Sequence, residues 1–125
     1  MKVICFTSQS ELQEKLSAEV LCHLPADDHL EQYEMFEDFL NRMYQPKDFQ
    51  TIVILCVNSI SELKEICSIS DFLLDCKIIL VLPDRNHTTL DLAYKLYPRY
   101  FISIDQDLNE LVEILNQMRK KSIFN

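Results

Sequence analysis

Two stretches of this chain are apolar on every side: Thr51-Ile52-Val53-Ile54-Leu55-Cys56-Val57 and, after a leading Lys77, Ile78-Ile79-Leu80-Val81-Leu82. A strand can be apolar on both faces only where both faces are covered, as in the centre of a parallel sheet flanked by helices. Lys2 to Phe6 reads as another buried strand, Val20 to Leu24 as a short second strand stopped by Pro25, and Tyr100 to Ile104 as a fifth. Helical signals lie between them. Ser8-x-x-Glu11 is a capping box opening a helix with Leu12 and Leu16 on one face. Asp27 and Asp28 cap a second helix with apolar positions Tyr33, Phe36, Phe39, Leu40 and Met43, ended by Pro46. Ser59-x-x-Glu62 opens a third, running through Leu63, Ile66, Cys67, Leu73 and Leu74. Asn86 or Thr88 begins a fourth, through Leu90, Ala93, Tyr94 and Tyr97 to Pro98, and Asp107-x-x-Glu110 opens a last one carrying Leu108, Leu111, Val112, Leu115 and Met118. Strands alternating with helices in this way predict an α/β chain, with right-handed crossovers and helices on both faces of a parallel sheet. The expected architecture is a flavodoxin-like (βα)5 three-layer sandwich with strand order 2-1-3-4-5. A length of 125 residues fits one domain spanning 1–125.

The chain contains no glycine, where average usage of roughly 7% would supply about nine. A Walker A loop, a dinucleotide-binding G-x-G-x-x-G turn, a nucleophile elbow and an EF-hand loop all need a backbone that takes positive φ or approaches a ligand closely, and are therefore excluded. Charge narrows the field further. Twelve basic residues stand against twenty acidic ones, a net charge of −8, and the first fifty residues carry ten of the acids with four basic residues. Such a surface repels nucleic acid and anionic lipid, so neither is expected as a partner. The basic cluster Arg119-Lys120-Lys121 ends the last predicted helix, where it complements the helix dipole.

No apolar run approaches the ~20 residues of a membrane helix, and the amino terminus is too short in apolar residues for a signal peptide. The five cysteines, Cys5, Cys22, Cys56, Cys67 and Cys76, are odd in number and form no C-x-x-C pair. A reducing cytoplasm is the expected compartment.

From Phe49 onward the pattern resembles the receiver domain of bacterial two-component response regulators (CheY-like domains). Lys77-Ile-Ile-Leu-Val-Leu-Pro-Asp84 is similar to the receiver's fourth strand, Leu96-Tyr-Pro-Arg-Tyr-Phe-Ile-Ser103 to the approach to its fifth, and Asp105 to Met118 to its last helix. The resemblance implies a phosphoryl-transfer site: an acidic pair after the first strand holding Mg²⁺, an aspartate after the third, a Ser or Thr after the fourth and a Lys after the fifth. Carboxylate nucleophile, hard cation and phosphoryl-oxygen donors each have a chemical role there. This chain carries none of them. Its first strand ends in Thr7-Ser8, no acid occurs from Phe49 to Ser61, the fourth strand ends in Leu82-Pro83, and Ser103-Ile104 stands where the lysine is expected. The resemblance is therefore to a degenerate, or pseudo-, receiver. Thr7, Ser8, Asn58 and Ser103 form the expected remnant of the pocket, on a rim of apolar and hydroxyl side chains with no cationic group. No phosphoacceptor, catalytic residue, metal or cofactor is expected.

Three other constellations fare less well. Cys22-His23 with Asp27-Asp28-His29 could be drawn as a metal cluster but reads as a strand end, a turn and an acidic cap. Asp27, Asp28, Glu31, Glu34, Glu37 and Asp38 read as the solvated face of the second helix, or as a face for a basic partner. Cys56 or Ser59 with His87 would make a nucleophile pair, yet no third orienting group is evident. In receiver domains the face of the fourth helix, fifth strand and fifth helix docks partners, and Tyr94, Tyr97 and Tyr100 resemble it. Tyr94 and Tyr97 divide evenly between core and interface; Phe101 and Leu111 are expected inside. The function expected is that of a module acting by protein–protein contact in cytoplasmic signalling, with a homodimer through the aromatic face as one form. The alternative is an enzyme or small-ligand carrier using the crevice at the strand ends.

Overall fold

The computed structural model describes residues 2–19, 29–47, 50–103 and 109–124. In chain order these form β1 (Lys2–Thr7), α1 (Ser10–Glu19), β2 (His29–Tyr33), α2 (Phe36–Met43), β3 (Ile52–Cys56), α3 (Ile60–Ser68), a 3-10 turn (Ser70–Phe72), β4 (Lys77–Leu82), α4 (His87–Tyr94), β5 (Tyr100–Ser103) and α5 (Asn109–Phe124). The five strands are parallel, in order β2-β1-β3-β4-β5. This is the doubly wound flavodoxin-like, CheY-like arrangement.

Alternation along the central strands assigns the layers. Val3, Cys5, Ile52, Ile54, Cys56, Ile79, Val81 and Ile102 pack with Leu16 of α1 and with Leu111, Ile114, Leu115 and Met118 of α5. The intervening residues Ile4, Phe6, Val53, Leu55, Val57, Ile78, Leu80 and Leu82 face Phe39 and Met43 of α2, Leu63 and Ile66 of α3 and Ala93 of α4. Two-sided apolar strands thus lie between two helical layers, as their composition requires. Phe39 is the keystone of the α2 side, stacked on Phe6 at 5.0 Å and edge-on to Tyr33 at 6.4 Å.

The second strand differs from expectation. It occupies His29–Tyr33, not Val20 to Leu24, and residues 20–28 lie outside the described part, together with the proposed Asp27 and Asp28 caps. Tyr33, expected on the apolar face of a helix, ends β2; α2 begins only at Phe36. The reason is the edge position of β2. A strand with one neighbour and one covered face can be polar, so His29-Leu30-Glu31-Gln32-Tyr33 lacks the apolar run that marks β3 and β4. α3 also ends early, at Ser68, and the 3-10 turn leaves Leu73 buried but Leu74 exposed. α1 starts at Ser10, two residues after the expected cap, while α5 runs on past Arg119-Lys120-Lys121. Ile104 to Leu108, including the expected Asp107 cap, lie outside the described residues. Asn86 is the N-cap residue of α4, without a side-chain cap bond.

Candidate functional site

The strand register sets one row at the carboxyl edge of the sheet. Thr7 of β1 lies beside Cys56 of β3, Cys56 beside Val81 of β4, and Leu82 of β4 beside Ser103 of β5. Open parallel sheets bind ligands at this edge because chain direction reverses between neighbouring crossovers there and leaves a crevice. The loops leaving the strands bring Ser8, Asn58 and Arg85 to the same edge.

Three side chains join across it. Asn58 Nδ2 donates to Ser8 Oγ at 2.7 Å, and Ser8 Oγ donates to Glu62 Oε2 at 2.8 Å. Two loops fifty residues apart in sequence are tied by this chain of bonds. Asn58 Oδ1 and Glu62 Oε1, by contrast, are shut from solvent and have no donor among the described residues, and a buried acceptor left so costs about 1–3 kcal/mol. Thr7 is fully buried, and its Oγ1 accepts from the Gln9 backbone N–H at 3.3 Å. Ser103 belongs to a second contact: Arg85 Nε donates to its Oγ at 2.7 Å. Of the four residues expected to mark the pocket, Ser8 and Asn58 are bonded to each other, and Ser103 is bonded to Arg85.

Contrary to the expectation from the sequence, the rim carries charge. Glu62 and Arg85 reach it from outside the strands. Glu62 had a structural explanation in the capping box, and half of that box forms, with Ser59 Oγ accepting from the Glu62 N–H at 3.2 Å. The Glu62 carboxylate, however, turns to Ser8. Ser8 correspondingly donates its hydroxyl to Glu62 and accepts from the Asn58 amide. Arg85 could have been suspected from its place in the loop between β4 and α4, one residue beyond Pro83-Asp84.

The nucleophile candidates do not converge chemically. Cys56 is buried, and its thiol is pushed well up by the hydrogen bond with Cys5 and by burial, which holds it protonated. Ser59 caps α3, and exposed His87 pairs with Asp91 through Nδ1 at 2.9 Å. Of the suggested metal cluster only His29 is described, exposed on β2, and no group of three metal-ligating side chains occurs among the described residues.

Glu31, expected on a solvated helix face, instead anchors a polar network on β2. Arg42 Nε donates to its Oε1 at 2.7 Å, the Tyr33 hydroxyl donates to the same oxygen at 2.6 Å, and Lys2 Nζ lies 3.2 Å from Oε2. This network borders an open, mainly polar cleft of about 640 Å³ along β2 and α2.

Toward the β5 edge, on the same face of the sheet as α2, Tyr94 packs edge-on against Phe101 at 5.8 Å yet remains 55% exposed. Tyr97 is 80% exposed and has φ of 51°, the only positive-φ residue among those described. Tyr100 is half-buried against the core; Leu111 is inside, and Phe101 only partly so. Arg85, His87, Leu90, Asp91 and Tyr94 line a shallow cavity of about 350 Å³ beside them. Among the described residues no helix is long and apolar enough to cross a membrane.

Comparison with solved structures places this architecture. The chain superposes on a protein from Burkholderia pseudomallei K96243 described as pilus assembly-related, with a TM-score of 0.68, 14% identity and coverage of 94% of this chain and 88% of that one. It superposes on a CheY-like response regulator receiver domain protein from Methanospirillum hungatei JF-1 with a TM-score of 0.66, 13% identity and coverage of 95% and 97%. At such identities the likeness is one of fold. No protein-family model and no curated protein matches the sequence.

Proposed function

We propose that this receiver-like chain is a pseudo-receiver: a module that signals by protein–protein contact and accepts no phosphoryl group. The observation that carries this is the chemistry of the carboxyl edge. Thr7-Ser8, Cys56-Val57-Asn58 and Ser103 end the three strands that in a phosphorylated receiver would supply acids and a lysine. An Asn58 amide is a poor nucleophile. A Mg²⁺ cradle does not fit either. Mg²⁺ takes near-octahedral oxygen ligands with one or two carboxylates, whereas the ends of β1, β3 and β5 carry none, and Glu62 of α3 gives one of its oxygens to Ser8. Incubation with acetyl phosphate and Mg²⁺ is expected to leave the intact mass unchanged. A gain of one phosphate near Asn58 overturns the proposal.

Tyr94 and Tyr97 support a contact role. A bulky residue held at positive φ costs roughly 1–2 kcal/mol, and strain of that kind at an exposed aromatic points to a use for the side chain. Without a phosphorylation switch, control comes from partner binding, since a ligand moves an equilibrium only through differential affinity. A partner recovered with the tagged chain from its host is expected to be lost from a Tyr94→Ser/Tyr97→Ser variant; undiminished recovery counts against this face.

One observation favours a second possibility, a small ligand in the strand-end crevice: the donorless oxygens of Asn58 and Glu62. Native mass spectrometry separates the two. A purified chain at its bare mass, with no absorbance beyond that of its aromatic residues, removes the ligand carrier.

A further inference from the structure

Helices in a parallel βα unit run antiparallel to their strands, so the carboxyl ends of α2 and α3 come to rest at the amino-terminal edge of the sheet, away from Ser8, Asn58 and Arg85. There Tyr44, just after α2, meets Phe72 of the 3-10 turn edge-on, with ring centroids 4.7 Å apart and planes at 82°. Both rings stay open to solvent, at 54% and 44%, and Leu74, two residues further on, is 65% exposed. The patch is held in place. Ile69 and Leu73 on either side of the turn are buried, and the Phe72, Leu73 and Cys76 N–H groups donate to Ile69, Ser70 and Leu73 carbonyls at 3.0 Å.

Exposed aromatics on a fixed scaffold are the side chains that interfaces enrich, because they bury much area at little entropic cost. The surrounding charge says what would cover them. Asp71 and Asp75 are exposed and flank Phe72 and Leu74 in sequence. The cation after α2, Lys47, is turned back onto the Met43 and Gln45 carbonyls at 2.5 and 3.1 Å, so its ammonium closes the end of the helix. A second copy of a chain with net charge −8 would bring like charge against like.

We propose that Tyr44, Phe72 and Leu74 form a docking patch for a basic partner segment, with one large apolar side chain seated on the Tyr44–Phe72 pair and flanking Lys or Arg residues on Asp71 and Asp75. Arg in such a segment also gains from the ring faces. The proposal rests on Tyr44, Phe72 and Leu74 and does not depend on the contact role given to Tyr94 and Tyr97.

The test uses random displayed peptides selected on the immobilised full chain. Recovered sequences are expected to combine an aromatic or Leu with Lys or Arg. Synthetic versions should bind the wild type at least about tenfold more tightly than a Tyr44→Ser/Phe72→Ser variant, the loss typical of truncating interface anchors, and should weaken with added salt. Asp71→Lys/Asp75→Lys probes the same patch without touching its packing and should lower affinity by a similar factor. The same charge change at exposed positions of α1 and α5, Glu14→Lys/Glu113→Lys, should leave affinity unchanged. Peptides without basic residues, an affinity indifferent to both patch variants, or self-association of the wild type that the Tyr44→Ser/Phe72→Ser variant abolishes, would each overturn the proposal.

Discussion

Glu31 shows how much one side chain can hold on an edge strand. Its hydrogen bond from Arg42, with help from Tyr33 and Lys2, outweighs partial burial and lowers its pKa from 4.5 to about 2. A carboxyl depressed in the folded state contributes stability that is fully present above its unfolded pKa and is lost as pH falls through the folded value. Denaturation midpoints of the wild type are therefore expected to fall between about pH 5 and pH 2, and Glu31→Gln should flatten that part of the profile relative to wild type. An unchanged slope in the variant would assign the acid sensitivity to other carboxyls. Tyr97 makes the opposite trade. Relieving its φ of 51° with Tyr97→Gly should raise stability by about 0.5–1 kcal/mol, part of the strain being offset by the freer unfolded chain. If Tyr97 serves a partner, the stabilised variant is the one that stops binding, and urea titration beside a binding measurement separates the two effects.

Among the elements, α2 leans on Phe39. It has eight residues, its N-cap Met35 makes no side-chain cap bond, and so short a helix is not stable by propensity alone. Packing of Phe39 against Phe6, Tyr33 and Phe36 supplies what propensity lacks. Phe39→Ala should cost about 3–5 kcal/mol, read as a lowered urea midpoint, and amide exchange should quicken first in α2. α3 is the contrast. Its Ser59 cap is formed, so Ser59→Ala should cost about 1 kcal/mol without detaching the helix, whose Leu63 and Ile66 remain buried. β3 and β4 are legible in the residues alone because short apolar runs rich in β-branched residues and bounded by turn signals fit a covered central strand. β2 is not, because an edge strand that keeps Glu31 and Gln32 in its middle has the composition of a loop. The helical period from Phe36 to Met43 is visible in the chain; its beginning is hidden, since Tyr33 falls at the right spacing for a helix while lying on a strand.

For the molecule as a whole, net charge and topology act on different questions. A charge of −8 bears on partners and not on fold, and no retardation of duplex DNA is expected at physiological salt; a salt-sensitive shift in a gel assay would contradict that. The fold is readable in outline because hydrophobic period and strand–helix alternation are local properties that leave a parallel sheet as the way to bury both faces of β3 and β4. The absence of glycine loops and of acids at the strand ends is equally local, a matter of which residues are present. Contacts between segments distant in sequence are another matter. Which oxygen of Glu62 meets Ser8, which loop supplies Arg85 to Ser103, and that Tyr44 and Phe72 share a patch depend on bringing side chains from separate turns together. Composition and periodicity carry no information about those distances, and the folded chain sets them through packing of the two helical layers on the sheet.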